Sequence, residues 1–303
     1  MTSVLVTGSS GFIGNNVCRT LVNEGYDVSG IDVVSPTFDL PQSVDEREAD
    51  LTDSPTLPNV DVIVHLAAHS QVQPVVEDPS LAIENIEMTK HVLDEAVRMN
   101  AAVINASSRD VYGSNILPSE DEVTPDSPNG YAASKLGSES IINAYRHTHD
   151  ISALSLRLAN VYGPRDLNMR VIPIFLALAD AGEELTIYGE EKILDFVYID
   201  DVCGAILSVI ENRAAVSGET MNIGSGNGTT LTTLAEQIVD QFDSCPGWTR
   251  ETNRSGDVQK YISNLSKTQS ILNFETRTLA SGLSETIDWY RDHRKVLERI
   301  RPN

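Results

Sequence analysis

Val4-Leu5-Val6-Thr7-Gly8-Ser9-Ser10-Gly11-Phe12-Ile13-Gly14 decides how the rest of the chain is read. Val4-Leu5-Val6 is a short apolar, β-prone run, and after Gly14 a helical pattern continues through Val17, Leu21 and Val22. Strand, glycine-rich turn and helix in that order are the context in which such a loop binds a ligand. Glycines let the backbone approach a pyrophosphate, and the helix N-terminus offers free N–H groups and a favourable dipole. The spacing is G-x-x-G-x-x-G, one residue longer between the first two glycines than the usual dinucleotide fingerprint. A tight turn without a ligand is the competing reading, but three glycines in seven residues leave a helix start poorly stabilised unless something needs the room. Gly8, Gly11, Phe12, Ile13 and Gly14 are therefore expected to hold a cofactor.

Further units extend the pattern. The second strand, Asp27-Val28-Ser29-Gly30-Ile31-Asp32, ends on an acid placed to hydrogen-bond the adenosine ribose. A carboxylate there repels a 2′-phosphate, and Val33-Val34 rather than Arg follows, so NAD is favoured over NADP. Ala49-Asp50-Leu51-Thr52-Asp53 ends another short strand, which adds Asp50 and Leu51 to the cofactor set. Val60 to His69 reads as a buried parallel strand running into Leu66, Ala67 and Ala68, small enough to let a flat cofactor lie against the backbone. His65 and His69 suggest a metal only weakly, since no Cys or carboxylate completes a ligand set, and no metal is expected. Ala101 to Ser108 is the next strand, ending in two hydroxyls.

Tyr131-Ala-Ala-Ser-Lys135 follows. A tyrosine and a lysine four apart share one helix face. An ammonium beside a phenol is expected to lower the phenol's pKa, which would let Tyr131 take a proton from an alcohol while a neighbouring cofactor takes the hydride. Y-x-x-x-K alone is a weak signal, and its weight here comes from the units before it.

With these residues in hand, the chain resembles an extended short-chain dehydrogenase/reductase of the nucleotide-sugar epimerase/dehydratase group. The likeness runs nearly end to end, through Asn85, Ser107 to Gly113, Leu156 to Arg165, Asp195 to Val202, Asn222-Ile223-Gly224, Arg254 to Asp257 and Thr286 to Tyr290. It implies that Ser108 hydrogen-bonds the reacting hydroxyl, that Tyr131 is the base and that Lys135 holds the nicotinamide ribose. It also implies that Asn85 joins the cofactor site and that Asn160, Arg254 and Asp257 contact the nucleotide diphosphate and ribose. A homodimer is implied as well. Two positions depart from the family. Leu194 stands where an Arg often contacts a phosphate, which points to another cation such as Arg165 or Arg170. Arg109 and Asp110 stand where 4,6-dehydratases carry an acid–base Asp-Glu pair, and an Arg cannot protonate a leaving hydroxyl at neutral pH. Elimination is disfavoured.

The expected fold is α/β, a Rossmann-type doubly wound parallel sheet with a smaller C-terminal α/β substrate lobe. Residues 1–160 form the cofactor domain, elements near 195–212 return to it, and 161–303 are mainly the lobe. The 303 residues show no repeat or low-complexity tract. Met1-Thr2-Ser3 leads straight into the first strand, so no signal peptide is expected, and no apolar run approaches the ~20 residues a membrane span needs. Cys18, Cys203 and Cys245 show no paired spacing, which fits a reducing cytoplasm. A net charge of −22 argues against nucleic acid as a partner. The acids are scattered and only 6 of 22 basic residues are Lys, a pattern expected of adaptation to high salt.

These readings favour an NAD-dependent epimerase acting on a UDP-sugar, with UDP-glucose and UDP-galactose as the leading pair. Net oxidation or reduction of a sugar nucleotide, or 4,6-dehydration, is the alternative within the family. A protein that binds NAD(H) as a sensor is a reading of another class, disfavoured by retention of Ser108, Tyr131 and Lys135 together.

Overall fold

The computed structural model describes residues 1–123, 125–189, 192–251 and 260–302. Among these residues, strands β1 (Ser3–Thr7), β2 (Asp27–Asp32), β3 (Asp45–Glu48), β4 (Val62–His65), β5 (Ala102–Ser108) and β6 (Ala153–Leu158) build most of one sheet. Short strands β7 (Asn160–Tyr162), β8 (Leu185–Tyr188) and β9 (Ile193–Tyr198) follow, then β10 (Thr220–Ile223), β11 (Gly228–Thr230) and β12 (Trp248–Glu251). The main sheet has the order β10-β6-β5-β4-β1-β2-β3, with every neighbouring pair parallel. This is the doubly wound α/β architecture expected from the opening unit.

The strand order reverses between β1 and β4, and such a switch point opens a crevice at the carboxyl ends of the strands. Apolar runs in β1, β4 and β6 are buried on both faces, as a sheet covered by helices on both sides requires. Helices α1 (Phe12–Asn23), α2 (Val72–Glu77), α3 (Ser80–Met99) and α4 (Gly130–His149) belong to the first half of the chain. There α3 and α4 pack side by side, and both leave their helical path in a left-handed residue, Asn100 and Asp150.

Past residue 160 the chain alternates between two places. Helix α5 (Val171–Asp180) and α7 (Leu231–Val239) pack together in a lobe with the paired strands β8 and β12. Helix α6 (Ile199–Asn212) instead packs on α1, and β10 joins the main sheet beside β6. A three-stranded sheet, β11-β9-β7, connects the two regions. Helices α8 (Ser266–Leu272), α9 (Leu279–Asp292) and α10 (Arg294–Ile300) close the chain, with α10 against α5. One continuous apolar core spans both regions, from Val4 and Leu156 to Leu185, Leu234 and Leu297. No helix among the described residues is long and apolar enough to cross a membrane.

Candidate active site

A cleft of about 1430 Å³ follows the carboxyl ends of β1, β2, β4 and β5 and continues between the sheet and the lobe. At one end lie the glycine loop, Asp32, Asp50 and Leu51, and beyond them Leu66, Ala67 and Ala68. Farther along lie Ser108, Tyr131 and Lys135, and then Asn160, Arg170 and Lys192. A single elongated space of this size can take a dinucleotide and a second nucleotide end to end.

The glycine loop has the geometry of an anion cradle. Gly8 has φ +72°, and a Cβ there would stand 2.8 Å from the Ala67 nitrogen. A Cβ on Gly14 would stand 2.0 Å from the Gly8 carbonyl oxygen, so helix and loop touch backbone to backbone. Gly11 is the N-cap of α1 and no side chain caps this end. The first-turn N–H groups and the helix dipole therefore face the cleft uncapped, which suits a pyrophosphate. Thr7 ties this loop to its neighbour: its hydroxyl accepts from the Leu66 and Ala67 amides at 3.2 Å each.

Asp32 has a further task that the sequence did not reveal. Its Oδ2 accepts from the Ser10 amide at 2.9 Å, and its Oδ1 accepts from the Val33 amide at 2.7 Å. The carboxylate thus pins the glycine loop to the end of β2 while lining the cleft. Asp50 also works locally: it accepts from the Thr52 amide and hydroxyl at 2.8 and 2.7 Å, and these bonds hold its carboxyl below the usual range.

Asn85 is placed differently from its expected partners. It is buried beneath the loop after β4, where its Oδ1 accepts from the His69 amide at 2.7 Å and its Nδ2 donates to Ser134 Oγ at 3.1 Å. It positions the cleft wall and does not line the cleft. His65 is buried between Thr7 and Thr89, and burial depresses its pKa to about 3, so it stays neutral. His69 pairs with Glu84 at 2.7 Å. Among the described residues no three His, Cys, Asp or Glu side chains gather as a metal would require.

The structure brings Ser108, Tyr131 and Lys135 to one part of the cleft but corrects the expected electrostatics. Asn129 caps α4 by accepting from the Ala132 amide at 2.9 Å, and the helix start presents Tyr131 and then Lys135 on one face. The phenol is not depressed: burial, together with the nearby Asp110 carboxylate, pushes the Tyr131 pKa up to about 12. A hydrogen bond with Ser108 and the charges of Arg170 and Arg109 pull the other way and are outweighed. Lys135 Nζ sits 5.8 Å from the Tyr131 ring centroid and donates to the Ala106 carbonyl at 2.9 Å. Burial lowers its own pKa to about 8. Ser108 Oγ donates to Asp110 Oδ2 at 3.2 Å and accepts from the Asp110 amide at the same distance.

One residue that the motif reading passed over supports this group. Glu139 lies four residues after Lys135, on the same helix face. Its carboxylate accepts from Ser107 Oγ at 2.5 Å and from Arg157 Nε and Nη2 at 2.9 and 2.7 Å. Arg157 Nη1 in turn donates to the Tyr112 hydroxyl at 2.8 Å, and that hydroxyl donates to Asn222 Oδ1 at 2.6 Å. Glu139 opposes the fall of the Lys135 pKa. The signal was present in the sequence as a further i+4 acid and as one arginine inside the apolar run Leu156-Arg157-Leu158.

At the lobe end, Asn160 Nδ2 donates to the Asp195 carbonyl at 2.8 Å. Leu194 faces the cleft, and of the two candidate replacement cations only Arg170 does so. Arg165 is turned away: it donates to Asn16 Oδ1 at 2.9 Å and stands 5.7 Å from the Trp289 ring centroid, in a separate small pocket. Lys192, two residues before Leu194, also lines the cleft. Arg254 and Asp257 lie outside the described residues.

A family model described as the NAD dependent epimerase/dehydratase family matches residues 4–224. The chain belongs to the NAD-dependent epimerase/dehydratase family. Among curated members, dTDP-glucose 4,6-dehydratase of Escherichia coli is 30% identical, with 98% of this chain and 96% of that one covered. The Thermotoga maritima UDP-glucose 4-epimerase solved with UDP-glucose superposes with a TM-score of 0.89 at 29% identity, covering 96% of this chain and 99% of that one. The Thermus thermophilus UDP-glucose 4-epimerase in complex with NAD gives a TM-score of 0.83 at 26% identity, covering 95% and 99%. This family member therefore uses NAD, and the uncapped start of α1, the glycine cradle and Asp32 are chemically suited to it.

Proposed function

We propose that this chain is a nucleotide-sugar 4-epimerase, with a UDP-sugar as substrate and UDP-glucose and UDP-galactose as the reference pair. The observation that carries the reading is the sugar end of the cleft, where Ser108, Tyr131 and Lys135 converge and Arg109 stands beside them. Gly8, Gly11, Phe12, Ile13 and Gly14 would hold the cofactor diphosphate. Asp32 would take the adenosine ribose, with Asp50 and Leu51 beside the adenine and Leu66, Ala67 and Ala68 along the wall. When bound, NAD supplies the acceptor and then the donor of a hydride at the sugar C4, and its oxidised ring carries a positive charge that favours tyrosinate.

Tyr131 takes the proton of the 4-hydroxyl and later returns it, and Ser108 hydrogen-bonds the same oxygen. Lys135 holds the nicotinamide ribose and adds positive charge near the phenol. The substrate diphosphate is met by Asn160, Arg170 and Lys192, with Arg254 and Asp257 as further contacts carried over from the family resemblance. No acid beyond these residues is needed for loss and return at a single carbon.

One observation favours a second reading, 4,6-dehydration. Asp110 has a carboxylate oxygen 3.2 Å from Ser108 Oγ, at the substrate end of the cleft. Against it, its neighbour Arg109 is a guanidinium, which cannot donate a proton to a leaving hydroxyl.

The Tyr131→Phe variant tests the shared proton step. It is expected to bind NAD and UDP-glucose with little change while kcat falls by about 10³-fold or more, because the phenol acts in the transition state. Turnover like that of the wild type would exclude Tyr131 as the base.

A further inference from the structure

The sugar end of the cleft holds a cation that the proton-transfer account leaves unused. Arg109 directly follows Ser108 at the end of β5, lines the cleft and has a side chain only 16% exposed. Its guanidinium carbon is 5.5 Å from the Tyr261 ring centroid. Asp110 Oδ1 is 3.7 Å from Nη2, too far for a hydrogen bond, and Asp110 Oδ2 is occupied by Ser108 Oγ. Among the described residues nothing accepts a hydrogen bond from this guanidinium. Five N–H donors that line the cleft with no protein acceptor favour an acceptor that arrives with the ligand.

The local charge points the same way. Tyr131 is influenced by the positive charges of Arg109 and Arg170 and by the negative charge of Asp110, and the Lys135 ammonium lies near the same ring. Glu139 acts on Lys135 and Asp166 on Arg170, while the carboxylate beside Arg109, that of Asp110, makes no hydrogen bond to it. Arg170 and Lys192 lie toward the lobe, where the diphosphate is assigned, which leaves Arg109 for the sugar. Asp110 supplies a counter-charge at 3.7 Å but no hydrogen bond, and a carboxylate, unlike a hydroxyl, matches the planar fork with two parallel hydrogen bonds. On a hexose ring a carboxylate at C6 is two bonds from C4, and Arg109 is likewise the immediate neighbour of Ser108, the residue assigned to the 4-hydroxyl.

Resting on the epimerase reading above, we propose that Arg109 is a specificity-determining residue that receives a carboxylate on the sugar, so that the preferred substrate is a nucleotide-linked uronic acid.

The test compares kcat/KM for 4-epimerisation of UDP-glucuronate and UDP-glucose by the wild type, Arg109→Gln and Arg109→Lys, with isomers separated by chromatography. The wild type is expected to prefer the uronate by about 100-fold or more, as sites built around a buried polar group do. Arg109→Gln should erase that preference mainly through KM for the uronate, and Arg109→Lys should keep part of it, since it keeps the charge and loses the fork. A wild type that prefers UDP-glucose, or an Arg109→Gln variant that loses the same factor with both sugars, overturns the uronate assignment and leaves the epimerase reading standing. No isomer from either sugar, with no transient absorbance of reduced nicotinamide, overturns both.

Discussion

Tyr131 and Lys135 are both buried, and burial drives their pKa values apart, the phenol up to about 12 and the ammonium down to about 8. Both shifts have the same cause, since burial disfavours whichever form is charged. A site in which Lys135 must stay protonated then has a limit on its alkaline side. Lys135 loses its proton as pH rises through about 8, so activity that needs the ammonium is present below that pH and lost above it. Glu139 raises this pKa. Glu139→Gln should therefore move the alkaline limb of the kcat/KM profile to lower pH. It should also cost about 3–5 kcal/mol of stability, because Arg157 is left as an unpaired buried charge. A chemical-denaturation curve and a pH–rate profile on the same variant check both effects. A destabilised variant with an unmoved limb would show that Glu139 supports the fold without tuning Lys135.

At the scale of elements, the opening strand, loop and helix were legible because glycine spacing and apolar period report the same unit. Asp32 was legible as the acid at the end of β2, but its bond to the Ser10 amide was not, because it joins residues brought together only by the β1–β2 pairing. Asp32→Ala should accordingly do two things. It should raise the NADP-to-NAD affinity ratio by removing repulsion of a 2′-phosphate, and it should weaken both cofactors by loosening the glycine loop. Titration with each cofactor measures the two effects separately, and an unchanged ratio would deny Asp32 its selective role. Asn85 shows the converse limit: its place in α3 was legible, but whether its amide meets a cofactor or the His69 backbone depends on a loop that no periodicity describes. The rise of the Tyr131 pKa was hidden for the same reason, since the helix spacing shows Lys135 but neither the burial of the phenol nor the nearby Asp110.

For the whole molecule, the parallel sheet followed from alternating apolar strands and helical segments. The later path did not, because β10 returns to the main sheet from a stretch rich in glycine and short strands, where pairing is set by tertiary contacts. The charge of −22 is a property of the surface as a whole. Many described ion pairs are exposed, such as Arg47–Asp45 and Lys90–Asp94, and pairs of this kind contribute little individually. If the acidic surface is an adaptation to salt, the thermal midpoint should climb steeply from dilute buffer to molar KCl as self-repulsion is screened. A highest midpoint in dilute buffer would remove that idea.

Epimerisation as proposed means that the sugar gives up hydrogen at C4 and takes it back without losing anything else. It is tested most directly by incubating the NAD-loaded protein with UDP-glucose or UDP-glucuronate deuterated at C4 and following product by chromatography and mass spectrometry. The expected product is a 4-epimer of unchanged mass that keeps its deuterium, with no build-up of free NADH. A product lighter by one water would show instead that Asp110 or another group acts as an acid in elimination, and steady release of NADH would show net oxidation.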